Sequence, residues 1–176
     1  TVTDAKGCTD TAVVVITQPA VLNANISSST NVRCFGEQSG NATVSVTGGT
    51  SPYTYSWNTI PVKTTATVTM GAGTYIATVT DSKGCTDTAL VVITQPAVLN
   101  ASISASANVS CFGGSNGTAT TAVSGGTSPY TYSWNTSPVQ TNATATMLGA
   151  GSYIVTVTDT MGCIDTALAT ITQPNV

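Results

Sequence analysis

The chain has 176 residues at about 100 Da each, seven acidic and four basic side chains for a net charge of −3, and no histidine. Charged residues make up only 6%, against a usual fraction of about a quarter, which excludes a basic groove for nucleic acid. Without histidine the commonest general base and neutral metal ligand are missing, so no enzyme, metal site or cofactor is expected, and no apolar run approaches the roughly 18 residues of a membrane-spanning helix. The chain opens at Thr1 with no Met and no apolar signal segment, so it reads as a piece from inside a longer protein.

Shifting the chain by 77 places Thr1 to Met70 on Thr78 to Met147 with about three-quarters of positions identical. Leu148 then reads as an insertion before Gly149-Ala150-Gly151-Ser152-Tyr153, which answers Gly71-Ala72-Gly73-Thr74-Tyr75. Taking each Gln-Pro as a junction gives the C-terminal strand of a truncated module at 1–19, a full β-sandwich repeat at 20–96 and another at 97–176, which includes the start of the next junction. A period this long suits a small module with its own core and not a short-repeat solenoid.

Within a module, apolar and polar residues alternate with period two along 22–26, 42–46, 53–57, 66–70 and 75–79, each stretch turning one face inward. Turn residues separate them at Gly36 to Gly40, Gly48-Gly49, Asn58 to Pro61, Gly71 to Gly73 and Asp81 to Gly84. The last stretch, Ala89 to Thr94, is apolar on both faces, as for a strand covered on its second side or lying close to the next module. Six or seven short strands at this spacing predict an all-β fold, tandem immunoglobulin-like β-sandwich modules in an elongated array. Trp57 and Trp134 end an aromatic stripe on the third strand, and Tyr75 and Tyr153 follow a Gly-Ala-Gly turn where a tyrosine corner belongs; all four are expected in the core.

Five cysteines in so uncharged a chain point to an oxidising, extracytoplasmic setting, and with no Cys-x-x-Cys pair they do not read as a zinc site. Each full module carries one cysteine before its second strand and one at the turn opening its last strand. Pairing within modules joins Cys34 to Cys85 and Cys111 to Cys163 and leaves Cys8 over; the rival scheme joins Cys8 to Cys34 and Cys85 to Cys111 across junctions. A seven-strand path with an extra short strand near Val62 puts the two turns at opposite ends of the module, whereas a six-strand path puts them together, so the pairing also tests the topology.

Several motifs recur at this period: Cys-Phe-Gly at 34–36 and 111–113, Gly-Gly-Thr-Ser-Pro-Tyr-Thr-Tyr-Ser-Trp at 48–57 and 125–134, Val-Thr-Asp-x-x-Gly-Cys, and Ile-Thr-Gln-Pro. Together they resemble the SprB-type repeats of giant cell-surface adhesins of gliding Bacteroidetes. The resemblance implies type IX secretion, display as filaments on the outer membrane, and a role in gliding motility or surface attachment. It brings no catalytic or ligand-binding residue with it.

Asp4, Asp81 and Asp159 stand six residues before Asp10, Asp87 and Asp165 across the cysteine-bearing turn; calcium is one reading, but no loop supplies the six to eight oxygens it needs, and the first Asp is expected to cap its turn. The stripe Tyr53, Tyr55, Trp57 and its copy Tyr130, Tyr132, Trp134 can be read as a sugar platform, yet a module so poor in large side chains needs them inside. The triplets beginning Asp10-Thr11, Asp87-Thr88 and Asp165-Thr166 match the Asp-Ser/Thr-aliphatic pattern for O-glycosylation in Bacteroidetes, which marks Thr11, Thr88 and Thr166 as glycan sites. Thr-x-Thr pairs at Thr67 and Thr69 or Thr156 and Thr158 fit an ice-binding plane no better than the outer face of any Thr-rich strand. The expected function is a disulfide-stapled spacer in an extracellular adhesin filament. The alternative is a repeat that itself binds carbohydrate weakly and multivalently. Expected partners are neighbouring repeats of the same chain, laterally associated filaments and a surface polysaccharide, with no nucleic acid and no membrane insertion.

Overall fold

Small apolar residues alternating with hydroxyls can bury one face of a strand but not one stripe of a helix. The computed structural model, which describes residues 1–175, is accordingly built of strands with no helix among the described residues. Residues 1–19 form only a two-residue hairpin, β1 (Val2–Thr3) with β2 (Thr9–Asp10), and Val13 to Ile16 beyond it are exposed. Their counterparts Leu90 to Ile93 lie in a full ladder against an eight-residue partner strand, whereas here Val2–Thr3 is all that stands opposite.

The first module comprises β3 (Asn23–Thr30), β4 (Gly40–Thr47), β5 (Thr54–Trp57), β6 (Thr67–Met70), β7 (Gly73–Thr80) and β8 (Thr86–Ile93). They form two antiparallel three-stranded sheets, β3-β4-β6 and β5-β7-β8. The inner faces enclose Trp57 at 1% exposure with Val44, Val68, Met70, Val79, Val91 and Ile93. At the edge where β3 meets β8, Asp87 Oδ2 accepts the Ala24 N–H at 2.8 Å and ties the sheets together. The second module repeats this with β9 (Asn100–Ala107), β10 (Gly117–Ser124), β11 (Thr131–Trp134), β12 (Thr144–Leu148), β13 (Gly151–Thr158) and β14 (Ile164–Ile171) around Trp134. Two unclosed facing sheets of this topology are an immunoglobulin-like β-sandwich.

Between β5 and β6 the chain changes sheets. Both strands run toward the Gly73 end, β5 antiparallel to β7 and β6 antiparallel to β4, so residues 58–66 have to return down the module. They do so beside the tryptophan: Trp57 N–H donates to Lys63 O at 2.9 Å and its indole Nε1 to Thr65 O at 3.0 Å. The path is therefore the one expected of seven strands, although only six are hydrogen-bonded into sheets.

Cys34 follows β3 and lies at the Gly40, Met70 and Ile93 end, while Cys85 lies in the β7–β8 turn at the other end. Eight residues of strand separate the two ends by about 25 Å, far beyond the roughly 4.4–6.8 Å between Cα atoms that a disulfide spans. The expected Cys34–Cys85 and Cys111–Cys163 bonds are thus replaced. Cys34 is bonded to Cys163 of the following module, with Cα atoms 5.6 Å apart, and Cys8, Cys85 and Cys111 are free thiols. The Cys8–Cys34 and Cys85–Cys111 scheme is corrected too: the bond crosses a junction, but with other partners.

The extra residue of the second module is also relocated. Leu148 pairs with Gly117 as Met70 pairs with Gly40, and takes its core place at 2% exposure. Met147 is the residue bulged out, 80% exposed at φ +57°, where the β10–β12 register shifts.

Candidate functional site: the junction between modules

The junction is assembled from four sequence motifs. At the exit of the first module β8 continues past its last residue: Val32 N–H donates to Thr94 O at 3.0 Å, and Thr94 N–H to Asn31 Oδ1 at 3.0 Å. One residue on, Gln95 Oε1 accepts the Gly36 N–H at 2.9 Å, so the Gln of Gln-Pro fastens the Cys-Phe-Gly loop of its own module. The second module repeats all three bonds, with Gln173 Oε1 accepting from Gly113 N at 3.0 Å.

On the lead-in side, Ala97 and Val98 run against Gly125-Gly126, where Gly126 N–H donates to Ala97 O at 3.0 Å. The glycines are required: at φ +69° a Cβ on Gly125 would stand 1.8 Å from Val98 O. Next to them the turn carrying Cys163 is organised by Asp159, 5% exposed. Its Oδ1 accepts from Met161 N at 2.9 Å and Cys163 N at 2.8 Å, and its Oδ2 from Thr127 N at 2.8 Å. Asp81 does the same for Cys85 in the first module. Burial pushes both carboxyls up, but the backbone N–H groups pointed at them outweigh it and hold both below the ordinary carboxylate value. The Ala24 and Thr88 N–H groups likewise lower Asp87.

The Cys34 loop and the Cys163 turn, each held by its own module, meet in the disulfide. A crevice of about 370 Å³ beside it is lined by Phe35, Val98, Leu99 and Ile164 from the two modules. The disulfide joins the loop of one module covalently to the turn of the next.

The remaining candidate residues are placed as follows. The paired acids do not converge: Asp81 serves its turn and Asp87 reaches Ala24, and no group of three metal-ligating residues occurs among the described residues. Trp134 is buried like Trp57, and Tyr53, Tyr55, Tyr75, Tyr130, Tyr132 and Tyr153 are half-buried. Tyr75 and Tyr153 donate to Gly71 O and Gly149 O at 3.2 and 3.1 Å, four residues upstream, as a tyrosine corner does. Tyr53 and Tyr130 donate to Gly48 O and Gly125 O, both at 2.7 Å. Thr11, Thr88 and Thr166 are exposed, the last two within β8 and β14. The second face of β8 is open, with Leu90 and Val92 exposed.

Sequence reasoning overlooked the Gln95–Gly36 and Gln173–Gly113 caps. The signal was the co-occurrence of Gln-Pro and Cys-Phe-Gly in both full modules.

Fold and junction define a tandem array of immunoglobulin-like modules joined covalently end to end. The family model described as SprB repeat matches residues 26–62 and again 103–139, once in each full module. No curated protein matches the sequence. Among solved structures, a C-terminal intimin fragment in complex with the intimin-binding domain of its translocated receptor is similar over 90% of this chain and 65% of its own, at 18% identity and TM-score 0.41. The N-terminal eight Ig domains of Down Syndrome Cell Adhesion Molecule are similar over 91% of this chain and 24% of theirs, at 15% identity and TM-score 0.37. The BSP domain of a biofilm associated protein is similar over 85% of this chain and 29% of its own, at 17% identity and TM-score 0.25. The chain thus spans less than two thirds of each of these proteins.

Proposed function

We propose that this chain is a load-bearing spacer segment of an extracellular adhesin filament, holding a distal binding region away from the cell surface and serving surface attachment or gliding. The observation that carries the reading is the Cys34–Cys163 bond. A bond within a module would staple one core, whereas this one routes tension from module to module. Pulled from its ends, the oxidised chain transmits force across the bond and bypasses residues 35–162. The two matches to the SprB repeat model support the same reading, and a stable disulfide suits an extracellular, oxidising setting. The carbohydrate-binding alternative has less support, because the aromatic stripe is turned inward and its tyrosine hydroxyls at 53 and 130 are taken by backbone carbonyls. Glycans on Thr88 and Thr166 would add solubility to a nearly uncharged surface; intact-mass analysis of native filament showing both threonines unmodified would remove that part.

Single-molecule extension tests the reading. Oxidised, only residues 1–34 and 163–176 can pay out, about 170 Å at the ~3.5 Å per residue limit; after reduction the whole chain extends to about 620 Å. Equal extensions before and after reduction would contradict it.

A further inference from the structure

The two free cysteines of the full modules occupy the two halves of the junction just described. Cys111 sits in a loop with the same internal bonds as the Cys34 loop: Val109 N–H donates to Thr172 O, Thr172 N–H to Asn108 Oδ1, and Gly113 N–H to Gln173 Oε1. Cys85 sits in a turn with the same Asp cap as the Cys163 turn. Both are exposed, and they lie at opposite ends of the two-module unit, so they cannot bond to each other. Beside Cys85 the lead-in stretch Pro19, Val21 and Leu22 lines a crevice of about 320 Å³ at the corresponding end of the first module.

We propose that the Cys34–Cys163 bond is one link of a continuous series, in which Cys111 bonds the turn cysteine of a following copy of this repeat and Cys85 bonds the loop cysteine of a preceding copy. The inference rests on the junction geometry and stands apart from the adhesin reading. Each link forms by thiol–disulfide exchange with an oxidised protein dithiol. The Cys111 thiolate attacks one oxidant sulfur and expels the other as a thiolate; the partner repeat's turn thiolate then attacks Cys111 Sγ and releases the oxidant as a dithiol, which keeps the two electrons and takes up the two protons.

Such links overlap. The ring closed by Cys34 and Cys163 spans 129 residues, more than one and a half periods. The next ring begins at Cys111, before the first has closed. Every peptide bond inside the series is then spanned by at least one disulfide, and a single proteolytic cut anywhere within it leaves the filament in one covalent piece.

The test is a three-repeat chain made by appending a second copy of residues 97–174 after Pro174, refolded in a glutathione redox buffer, with a protease site placed in the appended copy at the position of Val139. Non-reducing peptide mapping is expected to link Cys111 to the appended counterpart of Cys163 while Cys34 stays linked to Cys163. After cleavage the chain is expected to run as one species on a denaturing non-reducing gel and as two after reduction, and as two in either condition in the Cys111→Ser variant. A free Cys111 thiol, a Cys111–Cys163 link, or separation of the cleaved unreduced chain would overturn the proposal. Should the appended copy not fold, the unmodified chain in a Cys8→Ser background provides the second test: Cys111-to-Cys85 links between molecules support the proposal, and their absence from concentrated oxidised protein overturns it.

Discussion

Gly36 gives its backbone N–H to the side-chain carbonyl of Gln95 at 2.9 Å, across 59 residues of sequence. This one bond holds the loop that presents Cys34 to the end of the strand that leads into the next module. Both groups are exposed, so its removal costs only about 0.5–1.5 kcal/mol. Gln95→Ala is expected to speed amide exchange at Gly36 and reduction of the Cys34–Cys163 bond, with little change in the melting of either core. Unchanged reduction kinetics would mean that the cap does not position the cysteine.

The second module carries a defect that the first lacks. Thr121 stands where the first module has Val44, and its buried Oγ1 has no hydrogen-bond partner. Thr121→Val is expected to stabilise the second module by about 1–2 kcal/mol, and Val44→Thr to destabilise the first by a similar amount. Denaturant melts of the two variants decide it.

Met147 is held at φ +57° with its side chain in solvent. Glycine accepts that backbone freely, so Met147→Gly is expected to raise the stability of the second module by up to about 1 kcal/mol, read as a shift in urea midpoint. Loss of stability would show that the methionine makes a contact worth more than the strain.

Asp81, Asp87 and Asp159 have carboxyls lowered on folding. Groups of that kind contribute stability that is fully present above the ordinary carboxylate pKa near 4 and is lost as pH falls through the lowered folded value. The thermal midpoint is expected to hold level from neutrality to about pH 5 and to fall below about pH 4. Asp81→Asn, which gives up the charge and one of two accepting oxygens, should flatten that acid limb.

Much of the fold was legible in the sequence because β structure writes its period directly: the alternation around Ala42 to Val46 and Tyr53 to Trp57 marks strands, and the 77-residue shift marks modules. The disulfide was not legible, since it turns on the direction of residues 58–66, a stretch with no alternation that is held beside Trp57 by bonds to Lys63 and Thr65. With the return of that segment fixed, the ends occupied by Cys34 and Cys85 follow. The role of Leu148 was hidden for a related reason. Alignment places an insertion by residue identity, whereas the core selects whichever side chain reaches inward, and here the methionine is expelled.

The most direct measurement is non-reducing peptide mapping of the oxidised 176-residue chain at low concentration. One linked pair, Cys34 with Cys163, with Cys8, Cys85 and Cys111 open to alkylation, is the predicted result. Links from Cys34 to Cys85 and from Cys111 to Cys163 would return the chain to separately stapled beads and contradict the account.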